Sequence, residues 1–286
     1  MAPPPWVKPT GAREYQPGHY NIGSPTPRGE LIGLYGAGGC GKTKLAALSE
    51  RVLGSTVFID LDDSLGVLYP KLQECGLSPQ RVSGIKKWSD MIGLLDSRAL
   101  DPFKTVVIDT ASEAENMAMD HVVETIQCEN GQSATSIESY GYGKGYRFLH
   151  DTFRELISSM REHAQLGRNM IIVMHDTTAT VPNAEGADYL RHEPKLYADK
   201  SVSLRTLMQN SLDHLLYVGY DVEAKKGARE KHGKASGSGT RTIYPVETAT
   251  CIAKSRRLDD PIPYIDGDDA LWRALFPSNT TEPQGV

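Results

Sequence analysis

The chain has 286 residues, of which 39% are hydrophobic and 23% are charged, enough for one large α/β domain or two small ones. Its net charge of −5 argues against a protein that coats nucleic acid with its whole surface, but not against a local basic site. The four cysteines lie far apart without a CxxC pair, which excludes a zinc ribbon and a disulfide scaffold and favours a reducing cytoplasm.

The N-terminal segment 1–29 contains seven of the 17 prolines and few apolar residues. Such a stretch buries little surface, so it is predicted to be an extended or disordered arm. Its three aromatic residues leave open an arm that docks on a neighbouring subunit. One folded domain is predicted at 30–276, followed by a tail at 277–286. No apolar run in the chain reaches the roughly 18 residues of a membrane span, so no membrane partner is expected.

From Glu30 onwards, short apolar runs alternate with longer amphipathic ones, which is typical of a mainly parallel central sheet flanked by helices. Helices are predicted at 43–52, 146–166 and 203–212. Strands are predicted at 31–35, 57–59, 105–108 and 170–174, and two later strands with stronger alternation, at 215–222 and 242–253, predict a β-rich C-terminal edge.

Residues 224–241, between the two late strands, carry six basic residues and one acidic residue on an otherwise acidic chain. The Gly/Ser-rich composition predicts a flexible basic loop. Two interpretations stay open, a solvated hairpin tip and a contact with the phosphate backbone of DNA. In the second interpretation the DNA-binding residues are Lys225, Lys226, Arg229 and Lys231.

Residues 36–43 match the pattern G-x-x-x-x-G-K-[ST] between a predicted strand and a predicted helix. Glycines allow successive backbone N–H groups to surround phosphate oxygens, and the helix that follows directs its positive end at the same anion. Lys42 is expected to reach the β- and γ-phosphates, and Thr43 to bind Mg²⁺. The predicted nucleotide-binding residues are Gly36, Ala37, Gly38, Gly39, Cys40, Gly41, Lys42 and Thr43.

The same glycines also spell G-x-G-x-x-G, with Asp60 near the end of the second strand, as in a dinucleotide-binding Rossmann fold. That alternative, an NAD-dependent oxidoreductase, leaves Lys42 and Thr43 unexplained, whereas a triphosphate site uses both. Asp109 directly follows the third predicted strand in the position of a Walker B aspartate, and it is predicted to bind the metal with Thr43. ATP and Mg²⁺ are therefore the predicted ligands.

Hydrolysis also needs a group that orients or deprotonates water. Asp60, Asp62 and Asp63 follow the second strand and are candidates, although an acidic turn can also simply cap the next helix. His175, at the tip of the fourth strand, is either a γ-phosphate sensor or a polar residue satisfied within the fold.

The chain resembles the RecA-like recombinase core, and in particular the small phage nucleotide-binding proteins of that class (AAA-type ATPases and single-strand annealing recombinases), over roughly residues 30–276. The resemblance is carried by GAGGCGKT at 36–43, VFIDLDDSL at 57–65, TVVIDTASEAE at 105–115, SYGYGKGYRFLHDTF at 139–153, MIIVMHD at 170–176 and CIAKSRR at 251–257. It implies a RecA-like P-loop NTPase fold and an ATPase that acts on single-stranded DNA in phage-type recombination or annealing. It also implies self-assembly into a ring or filament, a single-strand-binding protein as a further partner, and a cytoplasmic location (the host cytoplasm for a phage-encoded protein).

This resemblance also implies roles for individual residues. Asp62 takes the place of the catalytic carboxylate, normally Glu, and His175 that of the γ-phosphate sensor, normally Gln, so the implied catalytic residues are Asp62, Lys42 and His175. Lys254 and Arg256 match cations that reach the nucleotide of a neighbouring subunit. Because Asp62 is one methylene shorter than Glu, a second hypothesis stays open, a nucleotide-gated assembly or binding module with negligible turnover.

The two DNA-contacting loops of the recombinase core fall at about 128–145 and 177–200. In the first loop, Tyr140 and Tyr142 are expected to stack on bases and Lys144 to bind the strand, while packing against the next helix is the alternative for the tyrosines. The second loop mixes acidic with basic residues, which weakens a phosphate-binding role there.

Overall fold

The apolar, β-branched runs form one mainly parallel sheet in the computed structural model, which describes residues 23–183, 185–225 and 234–277. The order of the strands across this sheet is β3-β2-β4-β5-β1-β7-β8-β9, and β6 pairs with the far end of β5. Within the described residues the strands are β1 (Leu31–Gly36), β2 (Thr56–Asp60), β3 (Gln80–Val82), β4 (Thr105–Asp109), β5 (Asn169–Val181), β6 (Tyr189–Pro194), β7 (His214–Lys225), β8 (Lys234–Tyr244) and β9 (Ile262–Pro263).

Two layers of helices cover the sheet, one on each face. One layer contains α1 (Lys42–Ala47), α2 (Glu50–Leu53), α3 (Leu65–Glu74) and α8 (Ala270–Leu275). The other contains α4 (Trp88–Leu95), α5 (Ala111–Thr125), α6 (Lys144–Gln165) and α7 (Leu204–Ser211). Alternate residues of β1 belong to the two apolar clusters, Ile32 and Leu34 to the first and Leu31 and Tyr35 to the second. The strand is buried on both faces, which explains its uninterrupted apolar sequence.

The strand order determines which chain segments meet. β5 lies between β1 and β4, and all three run parallel, so Gly36 pairs with His175 and Asp109 pairs with Val173. The carboxyl ends of these strands therefore form one edge of the sheet. On the far side of β1, β7 is parallel and β8 and β9 are antiparallel, which confirms the predicted β-rich C-terminal edge. This is the RecA-like P-loop NTPase fold that the resemblance implies.

Three predicted segments differ from the structure. The predicted flexible loop at 224–241 is partly strand, because β7 extends to Lys225 and β8 begins at Lys234, which pairs with it. The last predicted strand, 242–253, ends at Tyr244 because Pro245 follows, and the chain then runs as a loop with an isolated bridge from Cys251 to His192. The predicted DNA-contacting loop at 177–200 is largely a β-hairpin, since β5 continues to Val181 and pairs with β6. The sequence of β6, YLRHEP, is too polar to predict a strand, and cross-strand hydrogen bonding with β5 stabilises it.

The ends of the predicted domain are only partly described. The backbone N–H of Gly29 donates to the carbonyl of Ala164 at 2.9 Å, and Arg28 pairs with Asp213 at 2.8 Å, so the last residues of the predicted arm contact the domain. Residues 1–22 of the arm and 278–286 of the tail lie outside the described residues. No helix in the described ranges is long and apolar enough to cross a membrane.

Candidate functional site

The loop that follows β1 depends on its glycines. Gly39 and Gly41 have φ angles of +77° and +96°, a conformation that residues with a Cβ atom rarely adopt. A Cβ atom on Gly36 would lie 2.1 Å from the carbonyl oxygen of Val218 in the adjacent strand β7. The spacing of glycines in the motif therefore follows from backbone geometry and from the close approach of β7.

Lys42 lies at the centre of this loop. Its side chain is buried, and Nζ donates to the carbonyls of Gly36 at 2.9 Å and Ala37 at 2.8 Å. Nζ also lies 3.8 Å from Sγ of Cys40, whose thiol has a pKa raised by burial. The loop thus holds one ammonium group against its own backbone, a fixed positive charge suited to binding an anion.

Asp109 and Thr43 form the second part of the site, as predicted from the motif spacing. The Thr43 hydroxyl donates to Oδ2 of Asp109 at 2.7 Å. Asp109 is 1% exposed, and its Oδ1 accepts no hydrogen bond within the part of the chain that the structure describes. Burial raises the pKa of Asp109 to about 7, and the charges of Asp62 and Asp60 add to the shift, while the Thr43 bond opposes it. A hydroxyl beside an unsatisfied carboxylate oxygen is the hard-oxygen donor set that fits Mg²⁺.

The three carboxylates after β2 have different surroundings. Asp60 is buried, accepts the backbone N–H groups of Ser64 and Leu65 at the beginning of α3, and pairs with Arg81 at 3.2 Å, so it caps that helix. Asp63 also pairs with Arg81. Asp62 is exposed, and its negative charge raises the pKa of both Asp109 and His175. Of the three candidates, Asp62 is therefore the carboxylate that remains beside the site without a structural ion pair in the described residues.

His175 lies where the resemblance predicts it, beside Gly36 across the β1–β5 pair. It is partly buried. Burial lowers the pKa of its imidazole, the positive charge of Lys42 lowers it further, and Asp62 opposes the shift. The imidazole is thus neutral at neutral pH and close to both the loop lysine and the candidate base.

Three further side chains contact the loop from its outer side, and no sequence motif marked them. They come from β7, from β8 and from the residue that follows β9. Each donates to a different one of three successive loop carbonyls: Tyr220 Oη to Gly39 at 3.3 Å, Arg241 Nη1 to Cys40 at 2.8 Å, and Tyr264 Oη to Gly41 at 2.9 Å. We call these three residues the outer row.

Lys254 and Arg256 lie at the opposite edge of the sheet. Lys254 bridges Leu215 at the beginning of β7, and Nε of Arg256 is 3.1 Å from Oδ1 of Asp213. Because β7 runs parallel to β1, this is the amino edge, away from the loop at Gly36. The predicted action of both cations on the nucleotide of a neighbouring subunit stays a prediction.

The expectation that Tyr140 stacks on DNA bases is corrected by the structure. The ring is 8% exposed and packs edge-on against Phe148. Its hydroxyl donates to the carbonyls of Val122 and Ile126 at 2.8 Å each. Tyr140 is therefore part of the core between α5 and α6 and offers no free ring face to a base.

The other two predicted residues of this loop are on the surface. Tyr142 is fully exposed, in a backbone conformation with φ +48°. Lys144 pairs with Glu129. The stacking role of Tyr142 stays a prediction. Tyr146, in the first turn of α6, stacks on Tyr197 with ring centroids 3.9 Å apart, so its ring is used within the fold.

The basic loop can be placed only in part. Lys226, Arg229 and Lys231 lie outside the described residues, and Lys225 ends β7 without a described side chain. Their predicted contact with DNA stays a prediction.

Comparison with known proteins identifies residues 28–257 as an AAA domain. No curated protein matches the chain. Among solved structures, the chain is similar to the KaiC-like protein PH0186 from the hyperthermophilic archaeon Pyrococcus horikoshii OT3, with 12% sequence identity, a TM-score of 0.44, and coverage of 83% of this chain and 86% of that chain. The AAA domain match and the bond between Thr43 and Asp109 favour a triphosphate site over a dinucleotide site. The chain belongs to the AAA domain family, with the P-loop ATPase core of that family.

Proposed function

We propose that this protein binds ATP with Mg²⁺ at the loop 36–43, hydrolyses it, and uses it to act on single-stranded DNA in phage-type recombination or annealing. The observation that carries the nucleotide part is the buried Asp109, with one unsatisfied oxygen beside the Thr43 hydroxyl and the buried ammonium of Lys42 on the same edge of the sheet. Thr43 and Asp109 would hold the cation, which, when bound, neutralises charge on the phosphates.

Each protein group has a distinct part in this proposal. Lys42, already at the centre of the loop, binds and orients a phosphate by charge-assisted hydrogen bonds. Asp62 orients a water molecule and accepts its proton, because it is exposed and close enough to influence both Asp109 and His175. His175, neutral at neutral pH, provides a hydrogen bond rather than a fixed charge.

The proposed partners are single-stranded DNA, further copies of the chain and a single-strand-binding protein, in the cytoplasm. The DNA part is supported by the exposed ring of Tyr142 and by the basic composition of 224–241 on an acidic chain. Self-assembly is supported by the position of Lys254 and Arg256, which at the amino edge are suited to reach a nucleotide of another subunit.

A second candidate function is the nucleotide-gated module with negligible turnover, and the short, exposed Asp62 in place of Glu favours it. A single-turnover ATPase assay of the full chain, with and without single-stranded DNA, separates the two. Phosphate release that DNA accelerates supports the first proposal. Tight ATP binding without release supports the module, and no ATP binding would overturn the nucleotide site itself.

The DNA part has its own test, by fluorescence anisotropy of labelled single-stranded DNA with ATP present. Tyr142→Ala should weaken binding by about 1–3 kcal/mol at every salt concentration, because base stacking depends little on ionic strength. Neutralising Lys225, Lys226 and Lys231 together should instead flatten the salt dependence. Tyr69→Ala, on α3, is the control. If all variants bind single-stranded DNA as tightly as the wild type, the DNA-binding part of the proposal loses its support.

A further inference from the structure

The outer row exists because β7 is longer than its neighbour β1. Gly36, the last residue of β1, pairs with Val218, and Tyr220 lies two residues further along β7, beside the loop. Tyr220 pairs in register with Arg241 on β8, and the backbone N–H of Tyr264 donates to the carbonyl of Arg241 at 2.8 Å. The three side chains therefore come from neighbouring positions on β7, on β8 and directly after β9, the last strands of the sheet.

The row lies on the same face of the sheet as α1. Val218 and Ile243 belong to the apolar cluster beneath α1, and residues two positions apart on a strand share a face. Tyr220 and Arg241 are two positions from Val218 and Ile243, so their side chains extend toward the loop that leads into α1.

The contacts of the outer row are linked to the direction of the loop N–H groups through the geometry of the peptide group. In a trans peptide group the carbonyl oxygen of one residue and the N–H of the next point in opposite directions. Because the oxygens of Gly39, Cys40 and Gly41 accept from the outer row, the N–H groups of Cys40, Gly41 and Lys42 are directed away from that row. The carbonyl of Gly41 also accepts the backbone N–H of Leu45 at 2.8 Å, in the first turn of α1. The N–H of Cys40 indeed points across the loop, toward the carbonyl of Ala37 at 3.3 Å.

The row is closely packed. The guanidinium of Arg241 stacks over the ring of Tyr264 at 4.1 Å, and only 17% of its side chain is exposed. A Cβ atom on Gly41 would lie 2.7 Å from both Nη1 of Arg241 and Oη of Tyr264. Asp266 lies 3.7 Å from Arg241 and 2.9 Å from Lys44 of α1, which adds a further link between the row and that helix.

We propose that Tyr220, Arg241 and Tyr264 are positioning residues for the phosphate loop. They act through the loop backbone, by holding its carbonyls outward so that the N–H groups of Gly41 and Lys42 already face the phosphates before these bind. Such preorganisation raises affinity, because the loop loses less conformational freedom on binding. The consequence for phosphate binding rests on the proposed ATP function, while the orientation of the loop does not.

The test measures calorimetric binding of two probes, ATP and inorganic triphosphate, to the full chain with Mg²⁺. Arg241→Gln should weaken both probes to the same extent, by roughly tenfold for a lost charge-assisted hydrogen bond, and Arg241→Lys should restore part of the loss. Tyr264→Phe removes a donor but keeps the ring, so it provides a second variant with the packing preserved. Arg51→Gln is the matched control, since Arg51 also donates to backbone carbonyls, those of Cys75 and Gly267, but away from the loop.

Amide hydrogen exchange provides a readout that a general loss of stability would not reproduce. In Arg241→Gln, exchange should increase in the peptide that contains 36–43 and stay unchanged in the peptide that contains β4. Weaker ATP binding with unchanged triphosphate binding would show that the row recognises the nucleoside and would overturn the proposal. Unchanged loop exchange would overturn it too. If the wild type binds neither probe, the ATP function fails, and loop exchange still decides whether the row orients the loop.

Discussion

Asp109 and Asp213 are both almost fully buried, at 1% and 5% exposure, but they lie at opposite edges of the sheet. At the carboxyl edge, Asp109 accepts a side-chain hydrogen bond from Thr43, and burial raises its pKa to about 7. At the amino edge, burial acts on Asp213 in the same direction but is outweighed by Arg28 and by the backbone N–H of Leu31. The pKa of Asp213 therefore lies below its ordinary value.

This comparison shows that burial alone does not distinguish a functional carboxylate from a structural one. The number of hydrogen-bond donors that the protein provides to the carboxylate distinguishes the two. A buried carboxylate that its own protein leaves partly unsatisfied destabilises the fold, and it is tolerated where a ligand completes its surroundings. By this criterion Asp213 stabilises the domain, whereas Asp109 belongs to a binding site.

Among variants of the carboxyl edge, Lys42→Ala should have the largest effect on ATP affinity. The variant should bind ATP at least about tenfold more weakly, because charge-assisted hydrogen bonds contribute roughly 1.5–3 kcal/mol. Calorimetry measures the affinity, and circular dichroism should show an unchanged fold. The control is Lys71→Ala, an exposed lysine in the last turn of α3. An equal loss in both variants would contradict a specific role for Lys42.

Asp62→Asn should reduce hydrolysis by about 100-fold, the lower part of the range for general acid–base groups, while ATP affinity stays within about twofold. The reason is that Asp62 is exposed and has no role in holding the loop, so its loss acts mainly on the water. Removing its charge also lowers the pKa of Asp109 and of His175, an effect that solvent screens. Single-turnover phosphate release measures the rate. Asp63→Asn is the control, because Asp63 pairs with Arg81. A wild-type rate in Asp62→Asn would eliminate it as the base.

The parts of this site that could be predicted from sequence are those with a local pattern. The loop 36–43 depends on glycine spacing, and Asp109 directly follows an apolar run, so both were predicted where the structure has them. The strands β1, β2, β4 and the first part of β5 are buried on both faces, which makes their sequences continuously apolar.

The parts that could not be predicted depend on tertiary pairing. Tyr220, Arg241 and Tyr264 are far apart in sequence and meet only because β7, β8 and β9 are adjacent in the sheet. The burial of Tyr140 could not be predicted either, because Tyr140 and Tyr142 lie in the same Gly-rich segment. Which of the two rings is buried depends on the position of α5 in the fold.

Replacing each of the two buried carboxylates by an amide should have opposite effects on the stability of the protein without nucleotide. At pH 8, Asp213→Asn should lower the free energy of unfolding by about 1–3 kcal/mol, because charged hydrogen bonds to Arg28 and Leu31 are weakened. Asp109→Asn should instead raise the melting temperature, because it removes a buried negative charge with one unsatisfied oxygen. Thermal denaturation measures both. A loss of stability in Asp109→Asn as large as that in Asp213→Asn would contradict the distinction between the edges.

The last expected effect is the pH dependence of these differences. Because the pKa of Asp109 in the folded protein is about 7, above its ordinary value of 3.8, its favourable contribution is complete below about pH 4 and is lost as the pH rises through 7. The advantage of Asp109→Asn over the wild type should therefore be smaller at pH 5, grow up to about pH 7.5 and then level off. The pKa of Asp213 is lowered, so its contribution is lost only at acidic pH, and the deficit of Asp213→Asn should stay constant from pH 8 to pH 5. Burial also lowers the pKa of His175, but His175 is present in all three proteins, so its own contribution largely cancels in the differences. Melting temperatures at constant ionic strength, without nucleotide or Mg²⁺, measure these differences. If the advantage of Asp109→Asn does not change between pH 5 and pH 8, Asp109 does not titrate near neutrality, and the contrast between the two edges has no electrostatic basis.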